Sequence, residues 1–301
     1  MFSAGHIRHT RRHRTRAAIE TLENRTLLAT FVVTNAGNDP AFTSGLRFPQ
    51  ALAQANGNPG PDTIIFDLSP EQQTADIISV HGPLTISGDL IIIGPTEIHS
   101  SRGPNARQIV INSAQFNQQL FKINSGVDVT IANVYLAGGN GDQPRGAAVD
   151  NAGNLTLQDV QAVGIIDGNS PGGTIYNTGD LTISRSLLRG FTNGEGGVIY
   201  SESGSVRIEN TTIDFSLGDD NGGAIYFNSG TGVILNSTIV TNEAAFGAGG
   251  GLYINDANNT DILVHNSIIA GNTSFENNVR VPSDIFGTLN PASSFNIIGD
   301  A

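Results

Sequence analysis

The sequence predicts an all-β protein folded as a right-handed parallel β-helix, a solenoid with about three short strands in each coil of about 26 residues. A phrase of small residues followed by apolar–polar alternation occurs five times, and within it the column Asp150, Tyr176, Tyr200, Tyr226 and Tyr253 advances by steps of 26, 24, 26 and 27 residues. Each copy contains three short runs with the two-residue period of a β-strand. Gly, at 37 of 301 residues, suits a chain with many tight turns.

Three columns of the repeat define the predicted strands. Copies of the glycine phrase begin at Gly146, Gly172, Gly196, Gly222 and Gly250. A second set of apolar triplets begins at Leu155, Leu181, Val206, Val233 and Ile262. A third set begins at Asn133, Asn210, Asn236 and Asn266.

One such unit cannot bury its own apolar side, so the copies must stack. Stacking pairs each strand with its equivalent in the next coil, which makes the strands parallel. The crossover rule then makes the coil right-handed. A β-propeller is the main structural rival, but its blades need about 40 residues and four strands.

The first 29 residues read as a basic leader outside the fold. Residues 1–25 contain six Arg and two Glu. A disordered basic arm is one interpretation, and a standard secretory signal fits poorly because the apolar run is short. The stretch resembles the "LE-x-R-x-LLA" leader of large bacterial surface proteins, and this resemblance implies export. The matching residues are Leu22, Glu23, Arg25, Leu27, Leu28 and Ala29.

The β-helix domain is predicted over residues 30–301, with a cap and first coil over 30–80 and stacked coils over 81–301. The order of motifs in its first part resembles bacterial surface β-helix repeat proteins of the pectate-lyase-like fold. The matching positions are Ser44, Leu46, Arg47, Gln50, Ala51, Ala55, Asn56, Asp62, Thr63, Ile64 and Phe66. The resemblance implies a short N-terminal helix that caps the open end of the solenoid and protects its strand edges.

The end of the chain resembles the same family through "NSIIAGN" from Asn266 and "FNIIGDA" from Phe295. Relatives usually continue beyond this motif. We therefore expect an open C-terminal end, or one that is covered by further chain.

Charge and composition narrow the possible partners. Without the six Arg and two Glu of the leader, 9 basic and 25 acidic residues remain, a net charge of about −16. Such a body does not attract nucleic acid. No run approaches the roughly 18–20 apolar residues of a membrane span, so the chain is predicted not to cross a membrane.

Weak catalytic candidates lie in and near the turn "DFSLGDDNGG". Asp214, Asp219 and Asp220 could act as paired acid and base in glycoside hydrolysis, or Asp219 and Asp220 could bind Ca²⁺. Arg207 is a candidate base for a lyase, or a plain surface charge, since the alternation turns it outward. Turn geometry and solubility also explain the acidic residues, and no complete catalytic set is visible, so neither catalytic residues nor a cofactor are assigned.

The repeat places a column of tyrosines on the outward side of one strand: Tyr176, Tyr200, Tyr226 and Tyr253. They could stack on one another and stabilise the coils, or bind a sugar ring as a ligand site. We predict a non-catalytic module at the bacterial cell surface, either a structural spacer or a rod that binds a polysaccharide or a surface partner. The alternative is a carbohydrate-active enzyme, either a polysaccharide lyase or a glycoside hydrolase.

Overall fold

The computed structural model describes residues 28–37, 44–68, 77–95, 109–113, 118–139, 145–166 and 170–299. The chain forms a parallel β-solenoid of about 8 turns, with about 26 residues per turn and three sheets. The predicted all-β parallel β-helix is therefore confirmed. The leader up to residue 27 lies outside the described residues.

Strands are numbered along the chain, and the sheets are named in the order in which each coil passes through them. The first sheet carries the tyrosine column and has eight strands. They are β4 (Leu84–Ile86), β7 (Phe121–Ile123), β10 (Val149–Asn151), β13 (Ile175–Asn177), β16 (Ile199–Ser201), β20 (Ile225–Phe227), β24 (Leu252–Ile254) and β29 (Ile285–Phe286).

The second sheet has nine strands and runs the full length of the described solenoid. They are β1 (Thr30–Val33), β2 (Asp62–Phe66), β5 (Leu90–Ile93), β8 (Asp128–Ala132), β11 (Asn154–Gln158), β14 (Asp180–Ser184), β17 (Ser205–Glu209), β21 (Thr231–Leu235) and β25 (Asp261–His265).

The third sheet has 13 strands because some coils contribute two short ones. They are β3 (Ile77–Val80), β6 (Ile109–Ser113), β9 (Val134–Ala137), β12 (Gln161–Ile166), β15 (Leu187–Thr192), β18 (Thr212–Asp214), β19 (Leu217–Gly218), β22 (Thr238–Val240), β23 (Glu243–Ala244), β26 (Ile268–Ala270), β27 (Thr273–Glu276), β28 (Val279–Pro282) and β30 (Ile297–Ile298). The described strand pairs are parallel except β27 with β28.

The split strands of the third sheet arise from one extra residue in the coil. Five residues separate Thr212 from Leu217, whereas four separate their partners Leu187 and Phe191. The bulge turns a polar side chain inward in three successive coils, and Asp284, just before β29, continues the column. These side chains accept hydrogen bonds from the backbone of the coil before. The resulting buried ladder consists of Ser216, Asn242, Asn272 and Asp284.

Apolar side chains from all three sheets fill the interior of the solenoid. In the first sheet Ile175, Ile199, Ile225 and Leu252 lie directly above one another and are fully buried. Because each strand pairs in register with its neighbours, one inward apolar column per sheet suffices to build the core.

The third repeated column of the sequence is a corner between the second and third sheets. Its asparagines adopt the left-handed conformation that Asn tolerates, with φ near 50° at Asn210, Asn236 and Asn266. The residue after each asparagine, or after Arg185 with its φ of 48° at the same place, points inward, and its hydroxyl accepts a hydrogen bond from the coil before. These hydroxyl residues are Ser186, Thr211, Ser237 and Ser267.

Two positions of the predicted alignment are wrong by one residue. The residue that matches Gly222 is Gly249, not Gly250, and it has the same positive φ. In the second sheet Val206 pairs with Gly232, so Val233 points outward. The ring of Phe227 lies where a side chain of Gly232 would project, which compensates the lost volume.

A ten-residue helix, α1 (Phe48–Gly57), lies between β1 and β2. Pro49 stands in its first turn, where a missing backbone N–H costs nothing. Its buried side chains Phe48, Ala51, Leu52 and Ala55 belong to the solenoid core. A capping role for this helix remains a prediction.

Candidate functional site

The tyrosines of the first sheet form a continuous stack along the solenoid axis. Their rings are nearly parallel, with centroid distances of 5.4 Å (Tyr176–Tyr200), 4.9 Å (Tyr200–Tyr226) and 4.7 Å (Tyr226–Tyr253). Phe286 continues the stack at 4.7 Å. We call these five rings the tyrosine stack. It arises because parallel pairing in register sets equivalent side chains about one strand spacing apart.

The tyrosine stack is more buried than an outward column suggests. Tyr176, Tyr200 and Tyr226 are between 4% and 8% exposed, although their neighbours along the strand point into the core. At the other end from Phe286, the guanidinium of Arg145 lies 4.1 Å from the ring centre of Tyr176. The ring faces therefore contact one another or Arg145. Ligand binding by these tyrosines remains a prediction, and only their hydroxyl edges could serve it.

Carboxylates line the hydroxyl edges of the stack. Tyr176 Oη donates to Glu202 Oε2 at 3.3 Å, and Asn228 Nδ2 donates to Glu202 Oε1 at 3.2 Å. Burial, followed by Glu202 and Glu195, raises the pKa of Tyr200 above its ordinary value. Burial and Glu195 raise the pKa of Tyr226 to about 12. These phenols therefore stay neutral at physiological pH and can donate hydrogen bonds.

The predicted pair Asp219 and Asp220 lies near the carboxylates that line the tyrosine stack. Burial, followed by Asp220 and Glu202, raises the pKa of Glu195. Burial and the adjacent Asp220 raise the pKa of Asp219. We call Glu195, Glu202, Asp219 and Asp220 the acidic edge. A raised pKa favours the protonated form of Glu195 and of Asp219, which is the form in which a carboxyl can act as an acid.

The other two catalytic candidates are held in separate ion pairs. Asp214 Oδ1 lies 2.6 Å from Arg189 Nε on the outer face of the third sheet. Arg207 lies on the second sheet, and its Nη2 is 3.1 Å from Glu209 Oε2. The structure therefore brings Asp219 and Asp220 together but assigns Asp214 and Arg207 to other partners.

The calcium prediction gains no support from the geometry. Within the described part of the chain, no three His, Asp or Glu side chains form a group that could hold a metal ion. Calcium binding by Asp219 and Asp220 stays an untested prediction. Over the same residues, no helix has the length and hydropathy to span a bilayer.

A second surface carries exposed phenylalanines on neighbouring coils of the third sheet. Phe191 and Phe215 are 40% and 60% exposed, whereas Phe246, 80% exposed, lies apart in the turn after β23, where its N–H donates to the carbonyl oxygen of Asp219. Phe191 pairs with Leu217, two residues beyond Phe215, and the guanidinium of Arg189 lies 5.4 Å from the ring centre of Phe215. We call Phe191 and Phe215 the phenylalanine face. Exposed aromatic rings beside a charged pair suit contact with a sugar or with a protein partner.

Sequence reasoning missed Glu195, Glu202 and the phenylalanine face. Glu195 lies directly before the glycine phrase of its coil, at the level below Asp220 and Asn221. An alignment extended by a few residues before each Gly-Gly pair would have put Glu195 beside the Asp pair. The phenylalanines depend on the register of strands in three dimensions and left no sequence signal.

Comparison with protein-family models, with curated proteins and with solved structures finds no match to the chain.

Proposed function

We propose that the chain is a non-catalytic rod module of an exported bacterial surface protein, which holds a glycan or a protein partner at a fixed distance. The observation that supports it most is the continuous side-chain stacking along the axis. Three sets of side chains each run through several successive coils: the tyrosine stack, the inward hydroxyl residues between the second and third sheets, and the buried ladder that begins at Ser216. Such ladders resist relative rotation of the coils, which a spacer needs. Export itself rests on the leader resemblance.

The phenylalanine face is the surface we assign to binding within this proposal. Its two rings are exposed and lie on successive coils, so a linear saccharide or a flat protein surface could contact both of them. Aromatic side chains carry much of the energy at such contacts. The acidic edge offers carboxylate acceptors for sugar hydroxyls at a separate place.

A glycan-binding screen with matched variants tests the binding claim. Phe191→Ala and Phe215→Ala should each weaken saturable binding by about tenfold, the loss expected when a contacting aromatic ring is removed. Phe295→Ala is the matched control, since Phe295 is 85% exposed near the C-terminal end and outside this face. Equal affinity of all three variants, or no binding to any glycan or surface extract, would remove the phenylalanine face from the proposal.

A second candidate function is a polysaccharide hydrolase or lyase, which the raised pKa values of Glu195 and Asp219 favour. Carboxyls whose environments differ are the usual source of an acid and base pair. The test is turnover on a panel of acidic and neutral polysaccharides, with and without Ca²⁺. Product release that disappears in Asp219→Asn or Glu195→Gln would replace the rod proposal by the enzyme. Activity that survives both changes would point to a contaminant.

A further inference from the structure

A buried carboxylate with an unused oxygen lies where the solenoid begins. Asp62, the first residue of β2, is 1% exposed. Its Oδ1 accepts hydrogen bonds from the backbone N–H of Ala29 at 3.0 Å and from Asn58 Nδ2 at 2.8 Å. Its Oδ2 is buried and has no hydrogen-bond partner within the described part of the chain. A buried carboxylate in this state carries an uncompensated desolvation cost.

No cation on the adjoining elements offsets this charge. Strand β1 and helix α1 contain no titratable side chain. Strand β5 pairs with β2, and Asp89, just before it, is acidic and accepts a hydrogen bond from the Asp128 N–H at 2.9 Å. Of the described residues that precede Asp62 near the start of the chain, Ala29 therefore approaches its carboxylate, through the backbone nitrogen.

Of the described residues, Ala29 is the first that the solenoid holds on both sides. Its N–H donates to Asp62, and its carbonyl oxygen accepts from Thr63 N–H at 2.9 Å. The preceding Leu28 is 75% exposed. The peptide bond between Leu28 and Ala29 thus joins an accessible residue to an anchored one.

We propose that the Leu28–Ala29 bond is a processing site, and that the α-ammonium group created at Ala29 forms an ion pair with buried Asp62. An endopeptidase that accepts leucine before the cut bond would hydrolyse it. Water supplies the oxygen of the new Leu28 carboxylate, and its protons complete the ammonium of Ala29. No oxidant or cofactor is needed.

The new terminus satisfies both oxygens of Asp62. An amide nitrogen has one hydrogen to donate, whereas an ammonium has three and a full positive charge. It can keep the bond to Oδ1 and add one to Oδ2 without moving the anchored chain. Pairing of this kind removes the cost of the lone buried charge.

Three forms of the protein test the ion pair, each released from a cleavable fusion that leaves a native N-terminus. One begins at Ala29, one carries a single Gly before Ala29, and one is the full chain. The Ala29 form should have a Tm at least about 3 °C above the other two. The extra Gly moves the ammonium by about one residue length, roughly 3.5 Å, and so serves as the matched control.

Asp62→Asn shows whether the gain belongs to this carboxylate. In that background, the difference in Tm between the Ala29 form and the Gly-extended form should vanish, whatever the substitution itself costs. The gain should also be present at pH 6 and fall as the pH rises past the usual α-amino value of about 8 toward pH 10. Equal stability of the Ala29 and Gly-extended forms, or an unchanged difference in Asp62→Asn, would overturn the ion pair.

Two further outcomes bear on the processing claim. N-terminal sequencing of the mature protein from its native source should yield Ala29 first. A mature chain that begins elsewhere would overturn the assignment of the site. A full chain whose Tm rises by the same amount on addition of Na⁺ or Ca²⁺, but not in Asp62→Asn, would assign Oδ2 to an inorganic cation instead.

Discussion

Removal of one ring from the middle of the tyrosine stack is the sharpest test of what holds the coils together. Tyr226 contacts Tyr200 on one side and Tyr253 on the other, at 4.9 Å and 4.7 Å between ring centres. It is 7% exposed. Tyr226→Ala therefore removes a buried ring and both of its stacked pairs, while the backbone pairing of β20 can persist.

The expected loss follows from those contacts. Burial of about 150 Å² of ring contributes about 4 kcal/mol at 25 cal/mol per Å². Each stacked pair adds about 0.5–1.5 kcal/mol. Water can enter the gap from the outer face of the sheet, which recovers part of this energy. We expect Tyr226→Ala to lower the free energy of unfolding by about 3–4 kcal/mol.

Two variants serve as controls for this loss. Tyr226→Phe keeps the ring and should cost about 1 kcal/mol, the price of the hydroxyl's hydrogen bond. Tyr135→Ala removes a half-buried tyrosine on the third sheet, outside the stack, and should also cost about 1 kcal/mol.

The measurement is urea denaturation followed by circular dichroism, together with hydrogen exchange. Exchange is needed because stacked coils can lose two-state behaviour. It should rise in β16, β20 and β24 and remain unchanged in β5. A loss below about 1.5 kcal/mol for Tyr226→Ala, or one equal to that of Tyr226→Phe, would refute the claim that stacking stabilises the solenoid.

Three other substitutions test the contributions of turn strain, of the buried polar ladder and of acidic repulsion to stability. The measurement for each is the Tm or the free energy of unfolding. Gly222 has φ of 72°, and a Cβ there would lie 2.7 Å from the carbonyl oxygen of Ile225, so Gly222→Ala should cost at least about 2 kcal/mol. Gly271→Ala, with φ of 70° and open space around it, should cost about 1 kcal/mol, and equal losses would disprove the clash. Asn242→Ala leaves the Ser216 N–H without its acceptor and should cost about 3 kcal/mol, whereas Asn242→Ser should recover part of it. Glu195→Gln should raise Tm at pH 7, because a carboxyl with a raised folded-state pKa destabilises the fold once the pH exceeds its unfolded value. That gain should stay below about 1 kcal/mol after solvent screening and vanish near pH 4, and a fall in Tm at pH 7 would contradict it.

The glycine phrase shows how far pattern reasoning reached at the candidate site. The alternation correctly set Ile225 inward and placed Tyr226 in one column with Tyr200 and Tyr253. It did not reveal that the rings would be buried, because rings of neighbouring coils and Arg145 cover their faces. The acidic edge was half found, since Asp219 and Asp220 are adjacent in sequence but Glu195 comes from the coil before.

Register errors had a similar cause. Either Val233 or Gly232 could take the inward position that follows Val206 in the second sheet, and the apolar–polar alternation alone could not choose between them. The packing of Phe227 decided the choice, because its ring occupies the interior volume beside Gly232. A neighbouring bulky side chain thus outweighed the local apolar pattern.

The sequence by itself determined the parallel β-helix, its 26-residue coil and the columns that stack. A repeated unit with one apolar side has few ways to bury it, and stacking in register is the one that also satisfies the backbone. Only the tertiary structure decided which polar groups lie next to one another. It paired Asp214 with Arg189 and Arg207 with Glu209, joined Glu195 to the acidic edge, and left Asp62 facing Ala29. The burial of a polar side chain and the charges around it depend on residues one coil away. The linear pattern of the sequence does not show which of those residues lie beside it.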